Sequence, residues 1–170
     1  FIGIEPAIKP AALRSNSKKV GVLATKGTLK SKLFLSTSQQ FRTNLEFVEV
    51  EGKNLVRLIE AGDIKKTKPL LKKYLKPMVD AGVDNIVLGC THYPFLIPLI
   101  KRIIPQHIVI IDSAKAVAKQ TQSVLKLNGL ENTDFEALNN VFYTNQNLPV
   151  LESFVEKIGI QNKKVLLKDF

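Results

Sequence analysis

Cysteine is nearly missing from this chain. Cys90 is the sole example among 170 residues, which also hold only two histidines and one methionine, Met78. A single thiol excludes an internal disulfide framework and a multi-cysteine metal centre, and it makes a reducing, cytoplasmic setting the default expectation. Long apolar runs are missing too. None approaches the roughly 18 residues that a spanning helix needs, although 45% of the chain is hydrophobic, enough for a packed core. The opening "FIGIEPAIKP" has no signal-peptide layout and does not begin with methionine. Basic residues interleaved with aromatics, the usual platform for stacking nucleic acid, are absent as well. The excess of 25 Lys and Arg over 15 Asp and Glu therefore calls for another explanation. Six of the lysines fall between Lys65 and Lys76, in "KKTKPLLKKYLK", which reads as the solvated face of one amphipathic helix. Neither a nucleic-acid nor a membrane partner is expected.

What is present is alternation. Short Val- and Ile-rich runs read as strands at Val20–Thr25, Glu46–Val50, Asn85–Cys90, His107–Asp112, Asn139–Thr144 and Lys163–Leu167. Segments of helical period lie between them, roughly Leu29–Gln40, Lys53–Ala61, Ile64–Ala81, Pro94–Ile104, Ala114–Leu127 and Pro149–Ile158. Buried strands each separated by a helix predict an α/β fold, a parallel sheet covered on both faces.

Ligands in such folds bind outside the carboxyl ends of the strands. Three strand ends carry polar residues: "ATKGT" at Ala24–Thr28, "GCTHYP" at Gly89–Pro94 and "IDSAK" at Ile111–Lys115. The third has an ordinary explanation, because Asp112 or Ser113 can cap the helix that follows. In the first, Thr25 ends a strand, Gly27 frees the turn and Thr28 can cap the next helix. The loop is too short for a P-loop, and taken alone it is a helix cap.

The second is the most suggestive. Cys90 ends an apolar strand and Pro94 suits the first turn of a helix, so the thiol is expected near a helix N-terminus, with its pKa drawn down from about 8.5 toward neutrality. Thr91 offers a hydroxyl and an N–H as a berth for a carboxylate, and His92 can relay a proton near pH 7. Together these make a thiolate base or nucleophile beside an anion pocket. The competing reading is a cysteine that merely fills space as a small buried hydrophobe. His107, opening a strand with no polar cluster nearby, reads as structural.

The seven residues "LGCTHYP" resemble the second catalytic motif of the glutamate racemases, within the aspartate/glutamate racemase superfamily. "VGVLATKGTLKSKLF" is similar to that family's earlier strand–loop–helix, "LIEAGD" to its acidic segment and "GIEPAIKPA" to its interdomain crossover. The resemblance implies two α/β domains of the Asp/Glu racemase type with the active site in the cleft between them. On this reading residues 1–112 are the second domain, and residues 113–170 are the C-terminal part of the first. The family's Asp-Ser pair, Tyr-Gly pair and Ala-Cys-Asn-Thr stretch have no counterpart here, so a C-terminal fragment is expected, with apolar surface exposed from Ser113 onward.

The same resemblance implies roles. Cys90 would be one of two thiol acid/bases interconverting L- and D-glutamate, with His92 assisting its protonation and Glu60 supporting His92. Thr91, His92, Thr25 and Thr28 would bind the substrate. No cofactor is implied, whether metal, pyridoxal phosphate or nucleotide. The partners implied are glutamate and, in the full-length enzyme, a second copy in a homodimer within a bacterial cytoplasm. The product would feed peptidoglycan. One thiol cannot serve both faces of a carbon, so this chain alone is expected to be inactive. The alternatives are another racemase of the superfamily, acting on aspartate or hydantoins, or a Cys–His hydrolase working through a thioester.

Overall fold

A computed structural model describes residues 2–4, 6–132 and 139–169. The chain divides into two compact units, residues 1–124 and 125–170. The first contains α1 (Ile8–Arg14), β1 (Lys19–Ala24), α2 (Lys26–Leu29), α3 (Lys32–Gln39), β2 (Glu46–Glu51), α4 (Leu55–Glu60), α5 (Thr67–Asp80), β3 (Asn85–Gly89), α6 (Ile97–Ile100), β4 (Val109–Ile111) and most of α7 (Ala114–Leu127). The second follows with β5 (Asn140–Thr144), α8 (Leu148–Lys157) and β6 (Lys163–Leu167). This division into compact units lies inside α7, whose start belongs with the first unit. Asp112 accepts from the Ala114 N–H at 2.8 Å as the chain leaves β4, and Ala116, Val117 and Gln120 face a hollow shared with Pro6, Lys9 and Pro10.

Four strands of the first unit form one parallel sheet in the order β2–β1–β3–β4. The two central strands are buried from Val20 to Ala24 and from Asn85 to Gly89, whereas β2 and β4 are partly exposed edges. Burial on both faces explains why these strands read as unbroken apolar runs. On one face Val20, Val22, Ala24 and Val87 pack with Ala7, Ile8, Ala11 and Phe34, from the α1 and α3 side. On the other, α5 presses its buried stripe of Thr67, Leu71, Leu75 and Met78 onto the sheet. Gly21 permits this approach, since a Cβ there would lie 2.8 Å from the Met78 sulfur. All six lysines from Lys65 to Lys76 are exposed, four of them on α5 and Lys65 and Lys66 in the 3₁₀ turn that precedes it. Asp84 ties the sheet at its amino end. Its carboxylate accepts from the Ser15 hydroxyl at 2.8 Å and from the Asn16 and Ser17 N–H groups at 2.6 and 2.8 Å.

Three helices differ from expectation. A helix forms over Ile8–Arg14, where none was predicted, because Pro10 falls in the first turn and costs no hydrogen bond there. The stretch Leu29–Gln40 is two helices, broken when Ser31 caps α3 by accepting from the Phe34 N–H at 3.1 Å. Over Pro94–Ile104 there is no continuous α-helix: a 3₁₀ turn, Tyr93–Leu96, runs into the four-residue α6. Pro98 has no N–H to donate to the Pro94 carbonyl, so an α-helix running through it would lose that bond. His107 lies in an exposed turn ahead of β4 and does not open that strand.

The second unit is a single β–α–β crossover whose two strands pair in parallel, Asn140 to Lys163 through Thr144 to Leu167. Val155 of α8 is buried, while Leu130, Val141, Tyr143, Ile158 and Leu167 stay exposed, in line with the apolar surface anticipated from Ser113 onward.

Candidate active site

With the order β2–β1–β3–β4, successive connections leave β1 in opposite directions, so the crevice lies between the carboxyl ends of β1 and β3. Those ends are Ala24–Thr25 and Gly89–Cys90. Ala24 is paired with Gly89 in register, and the strands converge closely enough that a Cβ on Gly89 would sit 2.7 Å from the Ala24 Cβ. A groove of about 490 Å³ opens above them, lined by Thr25, Thr28, Ser31, Cys90, Thr91 and Ser113 among others. Its volume falls in the range that holds a small metabolite, roughly 300–1,000 Å³.

The first loop is built differently from its sequence reading. Thr25, not Thr28, is the capping residue: its Oγ1 accepts from the Thr28 N–H at 3.2 Å and lies 2.9 Å from the Thr28 Oγ1. The two hydroxyls therefore act as a pair, one fixing the other at the mouth of the groove. Ser31 and Ser113 also line it. Neither stands out in the sequence, since a hydroxyl at a helix start gives the same signal whether it faces a ligand or not.

The second loop places Cys90 half-buried at the floor of the groove. Its Sγ is 3.9 Å from the His92 Nδ1, and the Thr91 Oγ1 is 3.4 Å from that same nitrogen. The other ring nitrogen, Nε2, meets the Glu60 Oε1 at 3.0 Å, a residue brought from the far end of α4. Cys90, His92 and Glu60 thus form a line. With no long α-helix starting here, the expected dipole is small, and the pKa of Cys90 moves the other way. Burial pushes the thiol up, Glu60 adds to that, and the N–H groups of His92 and Tyr93 only partly offset it. The shift favours the thiol over the thiolate that its position in the sequence suggests.

Beyond the groove, Tyr93 ties the second loop to the turn before α4. It is fully buried, and its hydroxyl donates to the Gly52 carbonyl at 3.1 Å. Tyr74 donates to the next carbonyl, that of Lys53, at 3.1 Å. Two phenols therefore pin consecutive residues of the turn from which α4 departs, and α4 carries Glu60. A Cβ at Gly52 would overlap the Tyr93 hydroxyl, so only glycine permits the contact. Sequence reasoning misses Tyr93, because nothing local indicates a partner 41 residues away.

Residues 1–121 match the family described as Asp/Glu/Hydantoin racemase. The chain belongs to that family. Among curated relatives of this racemase-family chain, a glutamate racemase of Pseudomonas putida strain KT2440 is 45% identical over 132 residues, 76% of this chain and 50% of the relative. A glutamate racemase of Pseudomonas entomophila is 37% identical over 97% of this chain and 63% of its own length. The chain spans about half the length of the first of these. Among solved structures, glutamate racemase isoform RacE1 of Bacillus anthracis aligns with a TM-score of 0.77 at 26% identity, over 96% of this chain and 63% of that one. The Escherichia coli glutamate racemase, in complex with L-glutamate and the activator UDP-MurNAc-ala, aligns with a TM-score of 0.77 at 27% identity, over 97% and 64%. The α/β architecture with a parallel sheet is thus that of the Asp/Glu racemases. These relatives are bacterial, and no helix among the described residues is long and apolar enough to cross a membrane.

Proposed function

We propose that this chain supplies one side of a cofactor-independent glutamate racemase site, with Cys90 as one of its two thiols. The observation that carries the reading is the position of Cys90, at the floor of a groove at the β1/β3 switch point, rimmed by hydroxyls and next to the His92–Glu60 pair. Thr25, Thr28 and Thr91 would hold the substrate carboxylates. His92 would carry protons to and from Cys90, with Glu60 orienting its ring.

The chemistry is a balanced exchange. As a thiolate, one sulfur takes the α-proton, and the electron pair of the broken C–H bond spreads into the adjacent carboxylate. The opposing thiol then gives its proton to the other face, so the two sulfurs end with their protonation states swapped. Cys90 is the sole cysteine in these 170 residues, so the second thiol must come from outside them. Glutamate is favoured as substrate because the relatives are glutamate racemases and the Escherichia coli structure holds L-glutamate. A homodimer in a bacterial cytoplasm, supplying D-glutamate for peptidoglycan, completes the reading.

The test is racemisation followed by circular dichroism in both directions, in the full-length protein carrying this chain. Cys90→Ala should lower turnover at least a hundredfold, the scale of a lost acid/base group, while the far-ultraviolet spectrum is unchanged. The 170-residue chain alone should be inactive. Full turnover by the variant, or turnover by the isolated chain, would remove Cys90 or the second thiol from the mechanism. Turnover of aspartate or a hydantoin in place of glutamate would overturn the substrate. The line Cys90–His92–Glu60 also suits thioester chemistry, and trapping of an acyl group on Cys90 by an activated ester would favour a hydrolase.

A further inference from the structure

Glu60 and His92 meet at 3.0 Å although they come from separate segments. Glu60 is the last residue of α4, and His92 lies just beyond β3. α4 is a short rigid piece of six residues, about 9 Å long, with Leu55 and Ile59 fully buried. Where Glu60 arrives is therefore decided where α4 begins.

That beginning is held from outside. Asn54, just before α4, is left-handed at φ 66° and its side chain makes no capping hydrogen bond. The Gly52 N–H donates to the Ala24 carbonyl at 2.9 Å. The Tyr93 and Tyr74 hydroxyls donate to the Gly52 and Lys53 carbonyls, each at 3.1 Å. Tyr93 holds the other segment as well, since its own N–H donates to the Cys90 carbonyl at 3.2 Å and His92 is its neighbour in sequence. A buried phenol with a partner is ordinarily only a satisfied core residue. This one joins the two segments whose side chains meet at the imidazole, against a glycine that leaves no room for a Cβ.

The contact that results has chemical content. A carboxylate only accepts, so its approach to Nε2 puts the hydrogen on that nitrogen. In the neutral ring Nδ1 then keeps its lone pair, facing the Cys90 sulfur at 3.9 Å and the Thr91 hydroxyl at 3.4 Å. We propose that Tyr93, seconded by Tyr74, is a positioning residue that holds Glu60 on Nε2 and so keeps His92 in the tautomer able to take a proton from Cys90. The kinetic consequence rests on the racemase reading. The tautomer does not, because it belongs to the ring before any substrate arrives.

Nitrogen-15 NMR of the His92 ring, at a pH where it is neutral, tests this in the full-length protein and in its Tyr93→Phe, Tyr74→Phe and Glu60→Ala variants. The unaltered protein should show the Nε2–H form. Each variant should move toward a mixture of the two forms, Glu60→Ala the furthest. In racemisation of glutamate, Tyr93→Phe should lower kcat about tenfold and change KM less than about twofold. Made in the Glu60→Ala background, the same change should lower kcat no further. Tyr74 is only partly buried, so Tyr74→Phe repeats the test without disturbing the core. An unchanged tautomer in both phenylalanine variants would overturn the proposal. So would a tenfold loss that persists in the Glu60→Ala background, because Tyr93 would then act through the general stability of the fold. Absence of racemisation in the unaltered protein would sink the racemase reading alone, and the ring spectra would still decide the tautomer.

Discussion

Replacing Asp84 by Asn should destabilise the first unit measurably, and the effect should vanish in acid. Burial alone would push this carboxyl up. Hydrogen bonds from the Ser17 N–H, the Ser15 hydroxyl, the Asn16 N–H and the Asn85 amide outweigh that and hold it down, from an ordinary 3.8 to about 2. Each pH unit is worth about 1.36 kcal/mol, so at full strength the lowering amounts to about 2 kcal/mol. Asp84 is only half-buried, and solvent screening brings the expected contribution to about 1–2 kcal/mol. The folded pKa lies below the unfolded one. The ionised form is therefore preferred in the folded state, and the stability is fully present above about pH 4 and lost as pH falls toward 2. Asn keeps the shape but presents one acceptor oxygen where four donors converge. Urea denaturation should show the variant less stable by about 1–2 kcal/mol at pH 7, with the gap closing by pH 2–3. A gap of equal size at both pH values would mean that the interaction is not that of a carboxylate. No gap at pH 7 would mean that the clasp between the Ser15–Ser17 turn and β3 contributes nothing.

Tyr93→Phe should cost about 1 kcal/mol, since the Gly52 carbonyl keeps its bond from the Leu55 N–H when the phenol is lost. Gly52→Ala should cost more, and the double variant less than the sum, because removing the hydroxyl relieves part of the overlap; strict additivity would refute the contact. Gly89→Ala should destabilise by about 1–3 kcal/mol through its approach to Ala24, and an unchanged denaturation midpoint would show that the strand ends have room to spare. Alkylation of Cys90 by iodoacetamide should reach its plateau at higher pH than a free thiol does, because burial raises its pKa. A plateau already reached at pH 7 would contradict the buried-thiol picture.

The parts of the fold that could be read from residue order are those with strong local causes. Val20–Ala24 and Asn85–Gly89 are buried on both faces, and an unbroken apolar run can hardly do anything else between two helices. The amphipathic stripe of α5 and its lysine face were equally plain, because a helix repeats its message every turn. What could not be read were events set by one residue. Pro98 converts a predicted helix into a 3₁₀ turn and a single α turn, and Ser31 splits another helix in two. Either would have been tolerated elsewhere, and no periodicity reports the difference. The site followed the same rule. Cys90, Thr91 and His92 are adjacent and were found together. The 3.0 Å contact of Glu60 with His92 spans 32 residues and was reached only through family resemblance. The Tyr93–Gly52 contact, at a separation of 41, was not reached at all.

The protonation of Cys90 bears on how the proposed reaction would be organised. A racemase with two thiols needs one sulfur protonated and the other ionised at the start of each turnover. Two identical environments would leave that assignment to chance. Here desolvation and the nearby Glu60 both favour the protonated form of Cys90, so on the proposed mechanism this side would start as the proton donor. For Cys90 to act as base in the opposite direction, its proton must leave through a neighbour, and His92 lies in line between the sulfur and Glu60. The anchored turn that launches α4 then has a chemical consequence. By anchoring that turn, Tyr93 and Tyr74 fix where Glu60 meets the imidazole. On this reading the groove, the histidine relay and the two phenol contacts are one device, with the sulfur at one end and the Gly52–Lys53 turn at the other.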